Sequence, residues 1–260
     1  VTDELKDLEK KILGAEESAT RLEYQLFLKI RETLDAALTR LSRLSKGLKE
    51  IDVLLALAEA AVDNNYVRPN INEEGRLEIE GGRHPVVEKA LGHDAFVPND
   101  TSLSDKDRVM IITGPNMAGK STYMRQVALI VLMAHMGGFV PADSANIPIT
   151  DRIFTRIGAS DDLYGGQSTF MVEMSELSNM LRSATSRSLI ILDEIGRGTS
   201  TFDGLSIAWS AVEYIADPKK CGARTLFATH YHELSELEGS LDGVVNYRIT
   251  AVERGSEVIF

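Results

Sequence analysis

The first 65 residues carry one apolar stripe at helical spacing and contain no proline. Steps of three and four residues alternate from Leu5 to Leu26 and again from Leu41 to Val62, with an offset between the two runs. This pattern predicts one long bent helix, or two consecutive helices that break between Ile30 and Gly47. Sixty helical residues extend over roughly 90 Å, more than a domain core needs. The segment is therefore either a lever arm that carries movement to or from a functional site, or an ordinary helical layer that packs on a neighbour outside this chain.

Beyond Asn64-Asn65 the pattern changes to short apolar runs separated by helical ones. Buried strands of a parallel sheet are predicted at 109–113, 153–157, 189–192 and 225–229. Helices are predicted at 121–136, at 204–216 and after Ser168-Thr169. We therefore expect an α/β fold, with a mostly parallel sheet and flanking helices over residues 67–260 and a helical segment over residues 1–66.

Several local features refine this picture. A strand is predicted at 77–80, followed by a turn at Gly81-Gly82. Ser168 or Thr169 would cap the helix that follows, and Glu173 would complement its dipole. The last strands are predicted at 244–249 and 257–260, as an antiparallel edge.

The most specific pattern for function follows the predicted strand at 109–113. It fits G-x-x-x-x-G-K-[ST], the phosphate-binding loop (P-loop) of nucleotide hydrolases, as Gly114-Pro115-Asn116-Met117-Ala118-Gly119-Lys120-Ser121. A strand, a Gly-rich loop and a helix N-terminus aim several backbone N–H groups at one phosphate. Lys120 would reach the β and γ phosphates, and the Ser121 hydroxyl would hold Mg²⁺. We count Thr122, the next residue, among the nucleotide-binding residues.

A second pattern lies about 70 residues downstream, where a predicted strand ends in Asp193-Glu194. Ligands bind at the carboxyl ends of strands in open α/β sheets. Asp193 can hold Mg²⁺ through its water shell, and Glu194 can orient and deprotonate an attacking water. His230 ends the predicted strand at 225–229, so it should lie at the same edge and contact a γ-phosphate or that water.

Composition restricts the partners of this chain. Its net charge of −11 argues against a self-sufficient nucleic-acid surface, since phosphate contacts need clusters of Lys and Arg. The single cysteine, Cys221, excludes an internal disulfide and is typical of a reducing compartment. No apolar run approaches the roughly 18 residues of a membrane span, and no secretory leader pattern is present. The chain begins without Met on a helical pattern and ends in a strand-like run, so we expect it to be a fragment.

Together these motifs resemble the MutS family of DNA mismatch-repair ATPases, whose nucleotide domain is of the P-loop, ABC type. The resemblance covers almost the whole chain, including a lever-like helical part. Its carriers are 114–126, 154–162, Ser168-Thr169-Phe170-Met171-Val172-Glu173-Met174, Asp193-Glu194-Ile195-Gly196-Arg197-Gly198-Thr199-Ser200 and Ala228-Thr229-His230. Many members have Gly where this chain has Ala118; only a Cβ is added, so nucleotide binding should survive.

The resemblance implies a role for each site residue, with ATP or ADP and Mg²⁺ as cofactors. Phe96, beside Val97, would stack on adenine, although a lone Phe is more often a core residue. Asn116 would lie near the γ-phosphate, Glu194 would be the catalytic base and His230 a switch histidine. Ser168 would reach the ATP of a dimer partner, so that the ATP site is composite.

The resemblance also implies partners and a location. They are a homodimer partner, mismatched DNA held by domains outside this chain, and a MutL-type repair protein, in the cytoplasm or on a bacterial nucleoid, with no membrane. The resemblance further implies a helical dimerisation element after this domain, and we expect the sequence to stop before it. Two alternatives stay open: a paralogue class that acts on recombination intermediates, and a nucleotide-binding switch without significant turnover.

Overall fold

The computed structural model describes residues 2–91, 96–115, 118–157, 169–250, 252–254 and 257–259. The chain divides into two compact units, Val1–Ala56 and Leu57–Phe260. The first unit is part of a single α-helix, α1, which runs over Asp3–Asp63. The prediction of two helices with a break between them is therefore wrong, and the single-helix alternative is confirmed.

Helix α1 ends where the sequence predicted. Asn65 takes a left-handed conformation with φ of 52°, which a short polar side chain tolerates better than most. The N–H of Tyr66 then donates to the Ala61 carbonyl at 2.9 Å, which closes the last turn. Almost every apolar member of the stripe is exposed, as in Ile12 and Ile51. Charged residues recur along α1, and no helix in the described ranges is long and apolar enough to cross a membrane.

The second unit contains all of the other described elements. In chain order they are β1 (Asn70–Asn72), β2 (Leu77–Gly82), α2 (Pro85–Leu91), β3 (Asn99–Leu103), β4 (Val109–Thr113), α3 (Lys120–His135), β5 (Ser144–Pro148), β6 (Ile153–Ile157), α4 (Thr169–Ser183), β7 (Leu189–Asp193), α5 (Thr201–Ala216), β8 (Arg224–Ala228), a 3-10 helix (His232–Leu237), β9 (Val244–Arg248), β10 (Val252–Arg254) and β11 (Glu257–Ile259).

Five of these strands form a fully parallel sheet in the order β6-β7-β8-β4-β9. The predicted α/β fold with a mostly parallel sheet and flanking helices is confirmed. The predicted antiparallel edge is wrong for β9, which pairs parallel to β4. The chain crosses back through the 3-10 helix before entering β9, so it runs in the same direction as its neighbour. Among the described strands near the C-terminus, β10 and β11 pair antiparallel.

Two apolar cores cover the two faces of the parallel sheet. Because side chains alternate along a strand, Met110 and Ile112 of β4 face one core, while Val109 and Ile111 face the other. The first core includes α3 and strands β2, β3 and β5, and the second includes α4 and α5. The sheet is therefore buried on both faces, as parallel sheets require.

A second sheet has the order β1-β5-β2-β3. Strand β2 continues through the predicted turn at Gly81-Gly82, and Gly82 pairs with Asn99 after a register shift. The turn prediction is wrong because the two glycines form an irregularity inside the strand, where Gly often marks a bulge.

The sequence did not predict α2, which begins directly after His84. The His84 ring accepts hydrogen bonds at Nδ1 from the N–H groups of Val86 and Val87, both at 3.3 Å. Pro85 takes the first helical position, where a missing N–H costs nothing. Burial lowers the pKa of His84, the nearby Arg125 adds to this effect, and a backbone hydrogen bond opposes it.

We predict that acid destabilises the second unit through His84. The pKa of His84 is lowered in the folded state, so its contribution to stability is present above the unfolded value of about 6.5 and is lost as the pH falls below it. Protonated Nδ1 cannot accept the two N–H groups of α2. Denaturation followed by the fluorescence of the single tryptophan, Trp209, should show the loss.

His84→Asn is the matched control, since Asn can cap a helix but does not titrate. The stability difference between His84→Asn and wild type should grow in favour of the variant between about pH 7 and pH 5. A difference that stays constant over this range would contradict the role of His84 as a titrating cap.

Candidate functional site

The P-loop lies between β4 and α3, as the sequence predicted. Gly119 precedes α3 with φ of 90°, a conformation that residues with a Cβ rarely adopt. Gly114 and Pro115 form the start of the loop, and Ala118 is buried with 1% of its surface exposed. The N–H of Ala118 donates to the Pro115 carbonyl at 3.4 Å. Asn116 and Met117 lie outside the described residues.

Lys120 is the most enclosed cation of the loop region, with 5% of its surface exposed. Its Nζ donates to the carbonyl oxygens of Gly114 at 2.8 Å and Pro115 at 3.0 Å. These bonds fold the side chain back against the two residues that begin the loop, and the ammonium group is held there by charge-assisted hydrogen bonds. A buried ammonium without such acceptors would be costly.

Ser121 and Asp193 connect the P-loop helix to the end of β7. The Ser121 hydroxyl donates to Asp193 Oδ2 at 2.5 Å, across 72 positions of sequence. Burial raises the pKa of Asp193 and nearby Glu194 raises it further, whereas the Ser121 hydrogen bond, Arg125 and Lys120 lower it. Thr122, the next residue of α3, is partly buried. A hydroxyl and a carboxylate oxygen this close form a pair of hard donors of the kind that Mg²⁺ prefers.

Glu194 and His230 are in contact at the carboxyl edge of the parallel sheet. Strands β7 and β8 are parallel neighbours in which Asp193 pairs with Ala228, so the residues that follow them lie side by side. Glu194 Oε1 contacts His230 Nε2, and Glu194 Oε2 is paired with Arg197 Nη1. Glu194 has a positive φ of 56°, which is unusual for a residue with a long side chain.

The turn after Glu194 contains a buried contact that sequence reasoning missed. Glu173 of α4 has 7% of its surface exposed, and its Oε1 accepts a hydrogen bond from the Gly196 N–H at 2.6 Å. The predicted dipole role of Glu173 is wrong, since it lies beyond the first turn of α4 and binds this N–H instead. On the other side of the same residue, the Tyr231 hydroxyl donates to the Gly196 carbonyl at 3.1 Å.

The structure describes some of the remaining predicted site residues but not all of them. Phe96 is partly buried in the segment before β3. Val97 has 38% of its surface exposed, and its carbonyl accepts a hydrogen bond from Asn99 Nδ2 at 2.9 Å. Their contact with adenine stays a prediction. Ser168 lies outside the described residues, and so do residues 158–167 before it.

Taken together, the carboxyl edge of the parallel sheet carries a buried, hydrogen-bonded lysine, a hydroxyl–carboxylate pair and a glutamate that contacts a histidine. They come from the ends of β4, β7 and β8, which are adjacent in the sheet. This arrangement can bind a polyphosphate with a divalent cation and activate a water beside it.

Comparison with known proteins gives one family. The family described as MutS domain V matches residues 110–260, more than half of the chain. The DNA mismatch repair protein MutS of Caldicellulosiruptor bescii is 60% identical over 261 aligned residues, which cover 100% of this chain and 30% of that protein. The proteins of the same name from Ruminiclostridium cellulolyticum and Clostridium botulinum (strain Okra) are 61% and 56% identical. The chain spans about 30% of the length of these curated relatives.

The close approach of Gly204 in α5 to Gly196 leads to a prediction about stability. A Cβ at Gly204 would overlap both the Gly196 carbonyl and the Tyr231 hydroxyl. Gly204→Ala should therefore lower the free energy of unfolding of the second unit by about 1–3 kcal/mol, through overpacking. Denaturation followed by Trp209 fluorescence measures this change, because Trp209 packs against the core on that face of the sheet.

Gly14→Ala is the control for the same chemical change in a different setting. Gly14 lies in α1 with nothing within 4 Å of its Cβ position. Alanine there should stabilise the helix by about 1 kcal/mol and leave the Trp209 transition unchanged. Equal Trp209 transitions for Gly204→Ala and wild type would show that the turn is not tightly packed on α5.

Proposed function

This chain belongs to the MutS family, and from that premise we propose that it binds ATP with Mg²⁺ and hydrolyses it as part of a DNA mismatch-repair protein. The observation that supports this best is the convergence of Lys120, the Ser121–Asp193 pair and the Glu194–His230 pair at the carboxyl edge of one parallel sheet. The Ser121–Asp193 and Glu194–His230 pairs each join residues that are distant in sequence. Their contacts therefore depend on the fold and do not follow from closeness along the chain.

The residues at this edge fit Mg²⁺. Ser121 supplies a hydroxyl oxygen and Asp193 a carboxylate oxygen, 2.5 Å apart in the structure. Asp193 is largely buried, so its negative charge lacks full hydration and a cation would offset it. When bound, Mg²⁺ would neutralise part of the phosphate charge that develops during hydrolysis.

The reaction we propose is the transfer of the γ-phosphoryl group of ATP to water. The water oxygen forms a bond to the γ-phosphorus while the bond from that phosphorus to the bridging oxygen breaks, and its electron pair leaves with ADP. Glu194 accepts the proton of the attacking water, and His230 holds the Glu194 carboxylate in place. Lys120 supplies positive charge to the phosphates.

The remaining assignments come from the family. We propose that Phe96 and Val97 border the adenine, that Asn116 lies near the γ-phosphate, and that Ser168 completes the ATP site of a dimer partner. DNA would be held by parts of the protein beyond this chain, in agreement with the net charge of −11. The names of the relatives favour mismatch repair over the paralogue class that acts on recombination intermediates. A MutL-type partner and a cytoplasmic or nucleoid location are parts of the same proposal.

We predict that Glu194→Gln separates binding from turnover. Glutamine keeps the shape of the side chain but cannot accept the proton of water, so kcat should fall by about 10²–10⁴-fold. The affinity for ATP with Mg²⁺, measured by equilibrium titration with a fluorescent ATP analogue, should stay close to that of wild type. Unchanged turnover would contradict the assignment of Glu194 as the base.

We also predict that ATP hydrolysis depends on the concentration of the chain. If Ser168 acts on the ATP of a partner, specific activity should rise with concentration as dimers form. Lys120→Ala should abolish this activity and weaken ATP binding at least about tenfold, because a charge-assisted phosphate contact is lost.

The two measurements together test the composite site. Specific activity that is independent of concentration, in a chain that sediments as a monomer, would show that the ATP site is complete within one copy. ATP binding without hydrolysis at any concentration would favour the alternative of a nucleotide-binding switch.

A further inference from the structure

The peptide groups of Gly196 are held from two sides by side chains with no assigned role in ATP hydrolysis. Its N–H donates to Glu173 Oε1 at 2.6 Å, and its carbonyl accepts from the Tyr231 hydroxyl at 3.1 Å. Glu173 belongs to α4, whereas Tyr231 directly follows His230. Gly196 itself is two residues after Glu194. The turn that carries the proposed base is therefore tied to two separate parts of the fold.

We propose that Glu173 and Tyr231 are positioning residues for Glu194. They hold the 194–196 turn in the conformation that directs the Glu194 carboxylate toward His230, and they connect the start of α4 to that carboxylate. This inference deepens the proposed ATPase function and rests on it. Neither residue needs to touch ATP or the attacking water.

The backbone of this turn requires such support. Glu194 has φ of 56° and Gly196 has φ of 87°, so two of three consecutive residues are in the left-handed region. A non-glycine residue persists there only when its surroundings determine the conformation. The contacts on Gly196, together with the donation from the Glu194 N–H to the Ala228 carbonyl at 2.9 Å, provide that determination.

The chemistry of the two contacts fits a positioning role. Glu173 has 7% of its surface exposed, and the carboxylate of such a buried residue is costly unless it is hydrogen-bonded. Burial and the nearby carboxylates of Glu173 and Glu233 raise the pKa of Tyr231, so its hydroxyl stays protonated and donates. Glu173 therefore accepts, Tyr231 donates, and both sides of Gly196 are satisfied.

Phe170 lies beside the same loop. A Cβ built on Gly198 would lie 3.4 Å from the Cβ of Phe170, which is in the first turn of α4. A side chain at position 198 would therefore meet α4 at ordinary van der Waals distance, whereas the hydrogen bond from the Gly196 N–H to Glu173 is a direct contact between the two segments. A shift of α4 would act on the loop through this hydrogen bond.

The test compares Glu173→Ala with Glu173→Gln, using the 260-residue chain. Glutamine offers a carbonyl oxygen to the Gly196 N–H, and alanine offers none. In Glu173→Ala, kcat should fall roughly 100-fold, a typical cost of misplacing a catalytic group, while KM and the affinity for ATP stay within about threefold of wild type. Glu173→Gln should keep kcat within about threefold and show the pH profile of wild type, because Glu173 transfers no proton.

Two further variants sharpen the comparison. Tyr231→Phe removes the donor on the other side of Gly196, and the double variant with Glu173→Ala should be less impaired than the product of the single effects, since both act on one turn. Glu176→Ala is the matched control, because Glu176 is one turn further along α4 and pairs with Arg156 near the surface. It should leave kcat unchanged.

A second measurement does not depend on turnover. In NMR spectra of nucleotide-free protein, the Gly196 amide proton should resonate downfield in wild type and Glu173→Gln, and lose that shift in Glu173→Ala. The ring resonances of His230 should move in Glu173→Ala and remain in place in Glu176→Ala. These spectra distinguish a failure of the positioning role from a failure of the proposed ATPase function. A wild-type chain without ATPase activity but with these shifts contradicts the proposed function and supports the positioning of Glu194.

Three outcomes would overturn the positioning role. The first is a Glu173→Ala variant with wild-type kcat or with unchanged Gly196 and His230 resonances. The second is a Glu173→Gln variant as slow as Glu173→Ala, which would mean that the negative charge itself is required. If Glu173→Ala does not fold, Tyr231→Phe is tested instead. The third outcome is then a Tyr231→Phe variant with unchanged kcat and unchanged His230 resonances.

Discussion

The parallel pairing of β4 with β8 and of β8 with β7 determines where the described candidate site residues lie. Parallel strands end at the same edge, so the P-loop after β4, His230 after β8 and Asp193-Glu194 at the end of β7 are neighbours. The register fixes the order further, since Asp193 is level with Ala228 and His230 follows two residues later. A shift of one residue would turn inward-facing side chains to the opposite core, so burial on both faces protects the register.

The same edge contains most of the features that oppose stability. The raised pKa of Asp193 shows that its charged form is disfavoured by burial, and Glu194 occupies a backbone conformation that few non-glycine residues adopt. Lys120 is buried against carbonyl oxygens of its own loop. Strained and poorly solvated groups of this kind persist where function requires them and the surrounding structure holds them. Here the two apolar cores on either face of the sheet provide that stability.

Sequence reasoning located the strands that carry the candidate site well, because their pattern is local. The strands before Gly114, Glu194 and His230 were predicted to within one or two residues, because short runs of buried apolar residues between polar boundaries are distinctive. The parallel sheet then implied that their ends meet. The single helix α1 was one of two predicted alternatives, since a change in apolar spacing cannot distinguish a bend from a break.

The predictions from sequence were wrong or incomplete where the structure depends on contacts between segments that are distant in the chain. Helix α2 is short and starts with Pro85-Val86-Val87, which locally favours extended structure, so only the His84 cap reveals it. The parallel pairing of β9 depends on the path of the chain through the 3-10 helix.

Glu173 shows most clearly what a local pattern leaves out. Near the start of a helix, a carboxylate is expected to interact with the helix dipole in water, and nothing in the adjacent sequence separates that role from burial. In the structure its partner is Gly196, 23 positions away and in the turn after the proposed base. A buried carboxylate that binds the backbone beside the proposed base has a cost that packing alone would not justify. The burial of Glu173 therefore indicates that the position of Glu194 is controlled, and that α4 takes part in controlling it.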